Sequence, residues 1–595
     1  MKTQSIKRCL IILTLLAAGL APVLNLPRLT NARPQRVEET ALQIKGPTDD
    51  TNVLHSDPST ITFSTPSAPL GTISQISQYS ITWTFDRPYE YGQFANGDYW
   101  VIGPVTITAI SPASILSGTR TINGSMINPS PANGTTQGYD SAMYGSYGPD
   151  FDAALNVARP NGQALSAANP LIVRPGSSLV SAISLPEAGA RVQLKTAAIL
   201  TVLAAPAPAG SFRPPYSGSD KMIRFNTAQL NRSRLAHLAP VAETPSLAEV
   251  ERYFERPWID HVPNWMGGYH HPLENMPDYG REIATEIGIG ALMLNLDFTP
   301  QEKETLLVRY VQLGLDLYGV AINGGEENWP PNGGHASGRK WPILFAGIML
   351  GDSDMMHIGP GDGSGTVMFG EDGQTFYVTQ ADIDRTHSPD LRGCYLEEYQ
   401  AADLGLPEWG IVHSSDPDAD NRAWCAIYRE CCTANAWAGF ILAAHIIDAK
   451  DLWDHDALFD YQDRYMALET PGDWTRCWDD FTEAMWDTYR DDYGLVWPGV
   501  MLQGAPGDQM IRLTWTLTGN LPVTSTWQIA YYSQTVPVTI NNLISPTRAY
   551  TLIGLTNYAW YTVTLNALLD STPFLTDTLK LMPTDRLVYL PVIMK

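Results

Sequence analysis

The chain has 595 residues, with 38 Lys and Arg against 62 Asp and Glu, a formal net charge of -24, and 44% hydrophobic residues. This length is enough for about three or four domains, each with its own buried core, and the many aromatic residues argue against intrinsic disorder. The acidic balance argues against nucleic acid or an anionic membrane as a partner, because both bind clustered Lys and Arg.

The negative charge is concentrated in residues 251–500. This stretch holds 43 of the 62 acidic residues but only 15 of the 38 basic ones, a local net charge of -28. It also contains 12 of the 17 Trp and 9 of the 11 His. If the protein is an enzyme, we expect its chemistry in this stretch.

The N-terminus has the pattern of a secretory signal peptide. Lys2, Lys7 and Arg8 precede a short apolar run at residues 9–20, and small residues follow it. We predict a signal peptide over residues 1–32, cleaved after Ala21 or Ala32, and therefore a secreted or cell-surface protein with no membrane contact after cleavage. An uncleaved anchor is the alternative, although the run is shorter than the roughly 20 residues that span a bilayer.

The next zones differ in composition. Residues 33–75 are polar and rich in Pro, Ser and Thr, which predicts a flexible leader. Residues 76–205 contain short alternating runs such as residues 81–85 and 105–108, separated by Gly, Pro and Asn, which predicts a β-sandwich domain. The Pro-rich sequence AAPAPAGSFRPP starts at residue 204, and residues 206–245 are predicted to be a linker.

Helical periodicity dominates residues 246–500, the predicted catalytic domain. Thr299, Pro300 and Glu302 form a capping box, so a helix is expected from there to about residue 318. Other helices are predicted over residues 278–295, 339–350, 428–449, 455–468 and 479–489. The long loops between them, at 321–337 and 357–425, are expected to be functional.

The last zone, residues 505–582, alternates again. Trp515 lies in an early strand, residues 552–555 read Leu-Ile-Gly-Leu, and Tyr561, Val563 and Leu565 alternate in a later strand. This pattern resembles a fibronectin type III module, which implies an accessory sandwich and no activity. Residues 583–595 remain as a C-terminal tail.

Removing the signal peptide leaves five cysteines. Disulfides of Cys394 with Cys425, Cys431 or Cys432, and of Cys477 with another of them, are the expected pairings, with at least one thiol left over. A zinc site is the rival interpretation, but paired C-x-x-C motifs are missing.

The densest polar group is the passage at residues 323–341. Its glycines permit a close approach of the backbone to a ligand, carboxylates can act as acid or base, and indoles stack on sugar rings. The catalytic candidates in this passage are Glu326, Glu327, His335 and Arg339, and the binding candidates are Trp329, Asn332, Lys340 and Trp341.

Two further groups are candidates. Asp278 and Glu282 are four positions apart, so they project from one helical face, although an acidic first helical turn explains them equally well. His271 and Tyr279 lie beside them as binding candidates. In the third group Glu408 is a catalytic candidate, with Tyr395, Tyr399 and Trp409 as binding residues.

We expect no cofactor and no catalytic metal. His270 and His271 lack the spacing of a known zinc motif. The glycine-rich residues 361–365, with acidic neighbours, leave open a structural calcium site.

The whole arrangement is β-sandwich, helical domain and fibronectin-type module. It resembles secreted carbohydrate-active enzymes in which an α/α-toroid carries the active site on long loops. The resemblance implies a polysaccharide or oligosaccharide substrate.

Hydrolysis by paired carboxylates is favoured, because the acidic loops would repel a polyanion. A polysaccharide lyase remains the alternative, with His335, Tyr395 or Tyr399 as base and Asn332, Arg339 or Lys340 neutralising a uronic acid. A non-catalytic glycan-binding or adhesion protein is the third hypothesis, and the oligomeric state stays open.

Overall fold

The computed structural model of the protein describes residues 70–142, 150–187, 194–263, 267, 270–276, 280–359, 367–387, 399–409, 432–469, 471–472, 475–494, 499–518, 525–533, 537–544, 546–569 and 572–585. The chain divides into two units, and every described residue belongs to the second one, Ser64–Lys595. Strands dominate both ends of this unit, and helices dominate its middle.

The first part of the unit is rich in β-structure. Its strands are β1 (Gly71–Gln78), β2 (Ile81–Gln93), β3 (Tyr99–Ile102), β4 (Val105–Ser111), β5 (Ile115–Ser117), β6 (Arg120–Ile122), β7 (Ser125–Ile127), β8 (Thr136–Gln137), β9 (Asp150–Phe151), β10 (Leu171–Val173), β11 (Ser177–Ser184) and β12 (Leu194–Leu203). Eight of them form one sheet in the order β10-β4-β2-β3-β12-β11-β7, with β1 also paired to β2, while β5 pairs with β6 and β8 with β9. The predicted strands at residues 81–85 and 105–108 are confirmed within β2 and β4.

The two faces of this sheet have different partners. Leu179 and Leu200 belong to a core formed by the sheet itself. Val180 and Ile199 belong to the large core of the helical part. Strands β11 and β12 are therefore buried on both faces, which explains why neighbouring residues in them are both apolar, as at Leu179 with Val180 and at Ile199 with Leu200.

Helices occupy the middle of the chain. They are α1 (Leu247–Tyr253), α2 (Gly280–Leu294), α3 (Pro300–Ala321), α4 (Lys340–Leu350), α5 (Ser353–Met356), α6 (Gly370–Gln374), α7 (Gln380–Thr386), α8 (Ala434–Ile446), α9 (Lys450–Trp453), α10 (Asp456–Leu468) and α11 (Asp480–Tyr489). Strands β13 (Thr375–Tyr377) and β14 (Pro407–Trp409) pair between α6 and α8. The capping box before α3 is confirmed, since Thr299 and Glu302 bond to each other's backbone N–H. None of the described helices is long and apolar enough to cross a membrane.

Helix α2 is almost entirely buried and packs against α8. Gly288 and Gly439 meet at this contact, where a Cβ added to Gly288 would lie 2.9 Å from the Cα of Gly439. The absence of side chains at both positions lets the two backbones approach closely. Helix α3 packs against α4. The N-terminal end of α2 lies next to the segment that joins those two helices.

Residues 206–245, predicted to be a linker, contribute buried side chains to the helical part. Arg213 is fully buried, and its Nε lies 2.6 Å from Asp98 Oδ2, in the loop before β3. Its Nη1 lies 2.9 Å from Asp316 Oδ1, on α3. One guanidinium thus connects the sheet region to a helix through two buried carboxylates, and its charge compensates part of theirs.

The C-terminal part has two sheets and its own core. The strands are β15 (Gly499–Gly507), β16 (Met510–Thr518), β17 (Thr526–Tyr532), β18 (Val538–Ile544), β19 (Ala549–Ile553), β20 (Tyr561–Leu569) and β21 (Thr572–Leu581). One sheet has the order β15-β16-β19 and the other β18-β17-β20-β21. Trp515 and Trp527 pack edge to face, with ring centroids 5.7 Å apart, in the core between them.

Candidate functional site

The connection between α3 and α4, residues 323–338, is held by one buried carboxylate. Asp260 Oδ2 accepts hydrogen bonds from Arg339 Nε at 2.9 Å and from Trp329 Nε1 at 3.0 Å. His271 Nε2 lies 3.3 Å from Asp260 Oδ1. We call these four residues the Asp260 cluster. They join three chain segments, and all four side chains are buried.

Backbone contacts strengthen the same junction. Asn328 Nδ2 donates to the carbonyl of Asp260 at 2.9 Å, and the N–H of Asp260 donates to Tyr216 Oη at 2.9 Å. Each of these groups would otherwise be buried without a partner, at a cost of about 1–3 kcal/mol. These hydrogen bonds therefore attach the buried side of the α3–α4 connection to the segment around Asp260.

Electrostatics keep Asp260 ionised. Burial alone would raise the pKa of its carboxyl, but the charge of Arg339 and the hydrogen bond with His271 outweigh burial and hold the pKa well below its usual range. Asp260 was not a candidate from the sequence. The signal was present, because Asp260 is the only Asp, Glu, Lys or Arg between Arg256 and Glu274, and an isolated charge in such a stretch needs a buried partner.

The outer surface of the connection carries the remaining candidates from that passage. Glu326 and Glu327 are exposed, and Asn332 and His335 are half-buried. The carbonyl of Glu326 accepts the N–H of Met368 at 2.8 Å, which holds the tip of the connection against the segment before α6. Carboxylates thus face solvent on a connection whose base is hydrogen-bonded to the Asp260 cluster.

The predicted stacking residues lie in the interior. Trp329, Trp341, Tyr399 and Trp409 are all buried. Trp341 stacks on Trp453, with ring centroids 6.2 Å apart and planes inclined by 13°. Trp329 likewise stacks on Phe369, with ring centroids 5.8 Å apart. As predicted sugar platforms these buried rings need correction, because they pack in the interior and present little surface to a ligand.

The two predicted cations also have buried partners. Arg339 belongs to the Asp260 cluster, and Lys340 Nζ lies 2.5 Å from Asp372 Oδ2 and 2.8 Å from the carbonyl of Trp453. A guanidinium and an ammonium that are already neutralised in the interior are poorly placed to meet a substrate carboxylate.

Glu408 differs from the expectation in a similar way. It is buried in an ion pair with Arg464 of α10. Asp460, four positions before Arg464 on the same helix, instead lies 3.5 Å from Lys450 and accepts the hydroxyl of Tyr377 at 2.6 Å. Arg464 thus pairs with a carboxylate of a distant segment and not with one of its own helix.

Glu371 is a buried carboxyl that the sequence did not single out. Its Oε1 accepts the N–H of Gly338 at 3.3 Å, at the end of the α3–α4 connection. Burial, with the nearby charge of Asp372 adding to it, raises the pKa of Glu371 to about 7. Nothing in the sequence around Glu371, which follows Gly370, indicates that this carboxyl is buried.

The first turns of α2 lie beside the same connection. Arg281 Nη2 is 2.6 Å from Glu282 Oε1, and the guanidinium of Arg281 lies 3.7 Å from the ring centroid of Trp478. Trp478 Nε1 in turn donates to Thr285 Oγ1 at 3.2 Å. Glu282 keeps 32% of its side chain exposed, so this carboxylate is both paired and accessible.

Gly280 is where α2 touches the connection. A Cβ at this position would lie 1.9 Å from the carbonyl oxygen of Gly334 and 2.3 Å from that of His335. Only a residue without a side chain permits this approach, so the glycine sets the distance between the start of α2 and the α3–α4 connection.

Gly280→Ala is therefore expected to destabilise the protein by about 1–3 kcal/mol, the range for overpacking against backbone. Urea unfolding followed by Trp fluorescence measures this change. Gly351→Ala gives a contrasting control, because a Cβ there meets nothing within 4 Å and only the left-handed backbone, φ 71°, opposes it. A fully stable Gly280→Ala protein would contradict the close contact.

Several candidates lie outside the described residues. They are Asp278, Tyr279, Tyr395, the glycine-rich residues 361–365, and Cys394, Cys425 and Cys431. The roles proposed for them stay predictions. Cys477, expected in a disulfide, carries a free thiol. Within the described ranges, no group of three or more His, Cys, Asp or Glu residues could hold a metal ion.

Comparisons with known proteins give no family for the chain. No family model matches it, and no curated protein matches it either.

Proposed function

We propose that the protein is a secreted polysaccharide-degrading enzyme that hydrolyses glycosidic bonds at the meeting point of α2 and the α3–α4 connection. The supporting observation is the contact at Gly280 between α2, which carries the partly exposed carboxylate of Glu282, and the connection that carries Glu326 and Glu327. Hydrolysis of a glycosidic bond generally needs one carboxyl as acid and a second as base or nucleophile. These three acidic residues are the proposed source of that pair.

Two further features favour hydrolysis over elimination. A lyase acting on uronic acids must neutralise the substrate carboxylate, whereas Arg339 and Lys340 are already paired with Asp260 and Asp372. The local charge of -28 in residues 251–500 also opposes a polyanionic substrate. We therefore place the lyase second and the non-catalytic glycan-binding protein third.

The finer architecture belongs to the same proposal. We propose that the helical part is an α/α-toroid and that the C-terminal pair of sheets is a fibronectin type III-like module. Fold analogy alone is a weak argument for activity, so the proposed function depends on the site rather than on these names.

Glu282→Gln tests the assignment in the full chain. We expect kcat/KM on the best polysaccharide substrate to fall about a hundredfold, because a positioned acid or base contributes at least this much. Glu243→Gln, at an exposed position outside α2 and the connection, is the matched control and should retain wild-type activity. Unchanged activity in Glu282→Gln would remove Glu282 from the site. A wild-type chain that binds polysaccharides without releasing product would favour the glycan-binding hypothesis.

A further inference from the structure

A cavity of about 470 Å³ lies between α1 and α2. This volume falls in the range of about 300–1,000 Å³ that small-molecule sites occupy. The residues of its lining that matter here are Glu249, Arg252, Tyr253, Glu274, Asn275 and Glu286. Glu286 is one helical turn after Glu282 on α2, so the cavity adjoins the proposed site of cleavage.

Two buried oxygen atoms in this lining lack hydrogen-bond partners. They are Oε2 of Glu286 and Oδ1 of Asn275, and neither has a partner within the described residues. The side chain of Asn275 is held in place because its Nδ2 donates to the carbonyls of Arg256 at 2.8 Å and Tyr253 at 3.3 Å. Only 6% of Asn275 is exposed. Buried acceptors in proteins nearly always have donors, so these two indicate a ligand that supplies them.

The charge of the lining indicates which donor fits. Glu274 already has cations, since it pairs with Arg256 and lies 3.7 Å from Lys195. The side chain of Arg252 is exposed at the rim. Glu286 instead has a carboxylate, Glu282, as its charged neighbour, and burial together with that charge raises the pKa of Glu286 well above its usual value. A cation that donates a hydrogen bond to a carboxyl in this position stabilises it more than a neutral hydroxyl does.

We propose that this cavity binds the protonated amino group of an amino sugar, with the ammonium bonded to Glu286 Oε2 and Asn275 Oδ1. The inference rests on the proposed function for the glycan nature of the ligand, and it narrows the substrate to glycans with free amino groups. The net charge of -28 over residues 251–500, which contain most of the lining residues, attracts such a polycation.

Calorimetric titration of the full chain at pH 7 with glucosamine, N-acetylglucosamine and glucose tests the proposal. Glucosamine should bind about tenfold or more tightly than the other two, because only its amine can be charged. Glu286→Gln should abolish this preference, and Glu243→Gln should leave it unchanged. Equal affinity for the three sugars, or a preference that survives Glu286→Gln, would overturn it.

The folded state of Glu286→Gln can be verified independently. Because the pKa of Glu286 is raised in the folded protein, folding favours the protonated form, and that stabilisation is lost as the pH rises. The neutral variant should therefore unfold at a higher temperature than wild type at pH 8 and at a similar temperature at pH 4. A lower temperature at pH 8 would contradict the buried, unpaired carboxyl.

The two proposals fail in different ways. Glucosamine binding without cleavage of any polysaccharide would support the cavity assignment and remove the proposed function. Cleavage of a neutral glycan without glucosamine binding would support the function and remove the cavity assignment.

Discussion

Asp260→Ala is expected to lower the free energy of unfolding by about 3–5 kcal/mol, the cost of removing one partner from a buried ion pair. The variant leaves the guanidinium of Arg339 in the interior without its carboxylate, and it removes the acceptor of Trp329 Nε1. It also removes the polar partner of His271 Nε2. Three segments lose their common contact at once.

Urea unfolding at pH 7, followed by Trp fluorescence, measures this loss. The matched control is Asp220→Ala, which removes an exposed pair with Arg224 at 2.6 Å, where both side chains are about half exposed. Such surface pairs contribute about 0–1 kcal/mol. If the two variants lose the same small amount, the Asp260 cluster does not hold the α3–α4 connection.

Two buried imidazoles, His261 and His270, are expected to lower the stability of the folded protein as the pH falls below about 6.5. Burial lowers the pKa of His261 to about 4, with Asp260 opposing it, and lowers the pKa of His270 to about 3, with His261 and His271 adding to it. In the unfolded chain both have a pKa of about 6.5. Between pH 6.5 and pH 4 the unfolded chain therefore binds more protons at these two positions, and each imidazole contributes a loss of about 1.4 kcal/mol per pH unit. Glu371 and Glu286, whose pKa is raised in the folded protein, contribute with the opposite sign.

The geometry explains why these imidazoles cannot be protonated easily. The ring nitrogens of both have no hydrogen-bond partner within the described residues. The ring of Tyr139 packs edge-on against both, with centroids 6.1 Å from His261 and 5.8 Å from His270. A charge on either ring would be buried without a counterion at hydrogen-bonding distance.

The free energy of unfolding, measured every half pH unit from 4 to 8, tests this expectation. Relative to wild type, His270→Met should gain about 1.4 kcal/mol of stability for each pH unit below 6.5, because one imidazole with a lowered pKa is removed. His357→Met is the control, since His357 is exposed, and should keep the wild-type slope. If the free energy of unfolding falls equally with pH in His270→Met and in wild type, protonation of His270 does not contribute to the loss.

Local patterns in the sequence predicted the elements well. The alternation at residues 81–85 placed Ile81, Trp83 and Phe85 on one buried face of β2. The capping box at Thr299 located the start of α3 to the residue. Both signals depend on neighbours within a few positions, and so they can be read from the chain alone.

Contacts between distant segments could not be predicted in this way. Asp260 and Arg339 are 79 positions apart, and no periodicity connects them. In the sequence a Trp that stacks on a sugar cannot be told from one that stacks on another side chain. The burial of Trp329 and Trp341 in the structure decides their role. The Pro content of residues 206–245 predicted a linker. In the structure Arg213 of this stretch pairs with Asp98, in the loop before β3, and with Asp316 on α3.

The site combines both kinds of information. Glu326 and Glu327 were expected from the dense polar passage at residues 323–341, and Glu282 from its spacing in the first helical turn; all three keep exposed surface. Glu286 was missed because it continues an ordinary helical pattern. Its spacing of four positions from Glu282 is the signal that could have placed both carboxylates on one face of α2.

The most direct test of the central claim, hydrolysis of a glycan, is the fate of water during cleavage. The full chain is incubated with polysaccharides in water enriched in the heavy oxygen isotope, and the products are analysed by mass spectrometry. We predict that each cleaved bond incorporates one oxygen from water and that no unsaturated sugar absorbing in the ultraviolet accumulates. Products without the label, and with an unsaturated sugar at the new end, would contradict hydrolysis and establish elimination instead.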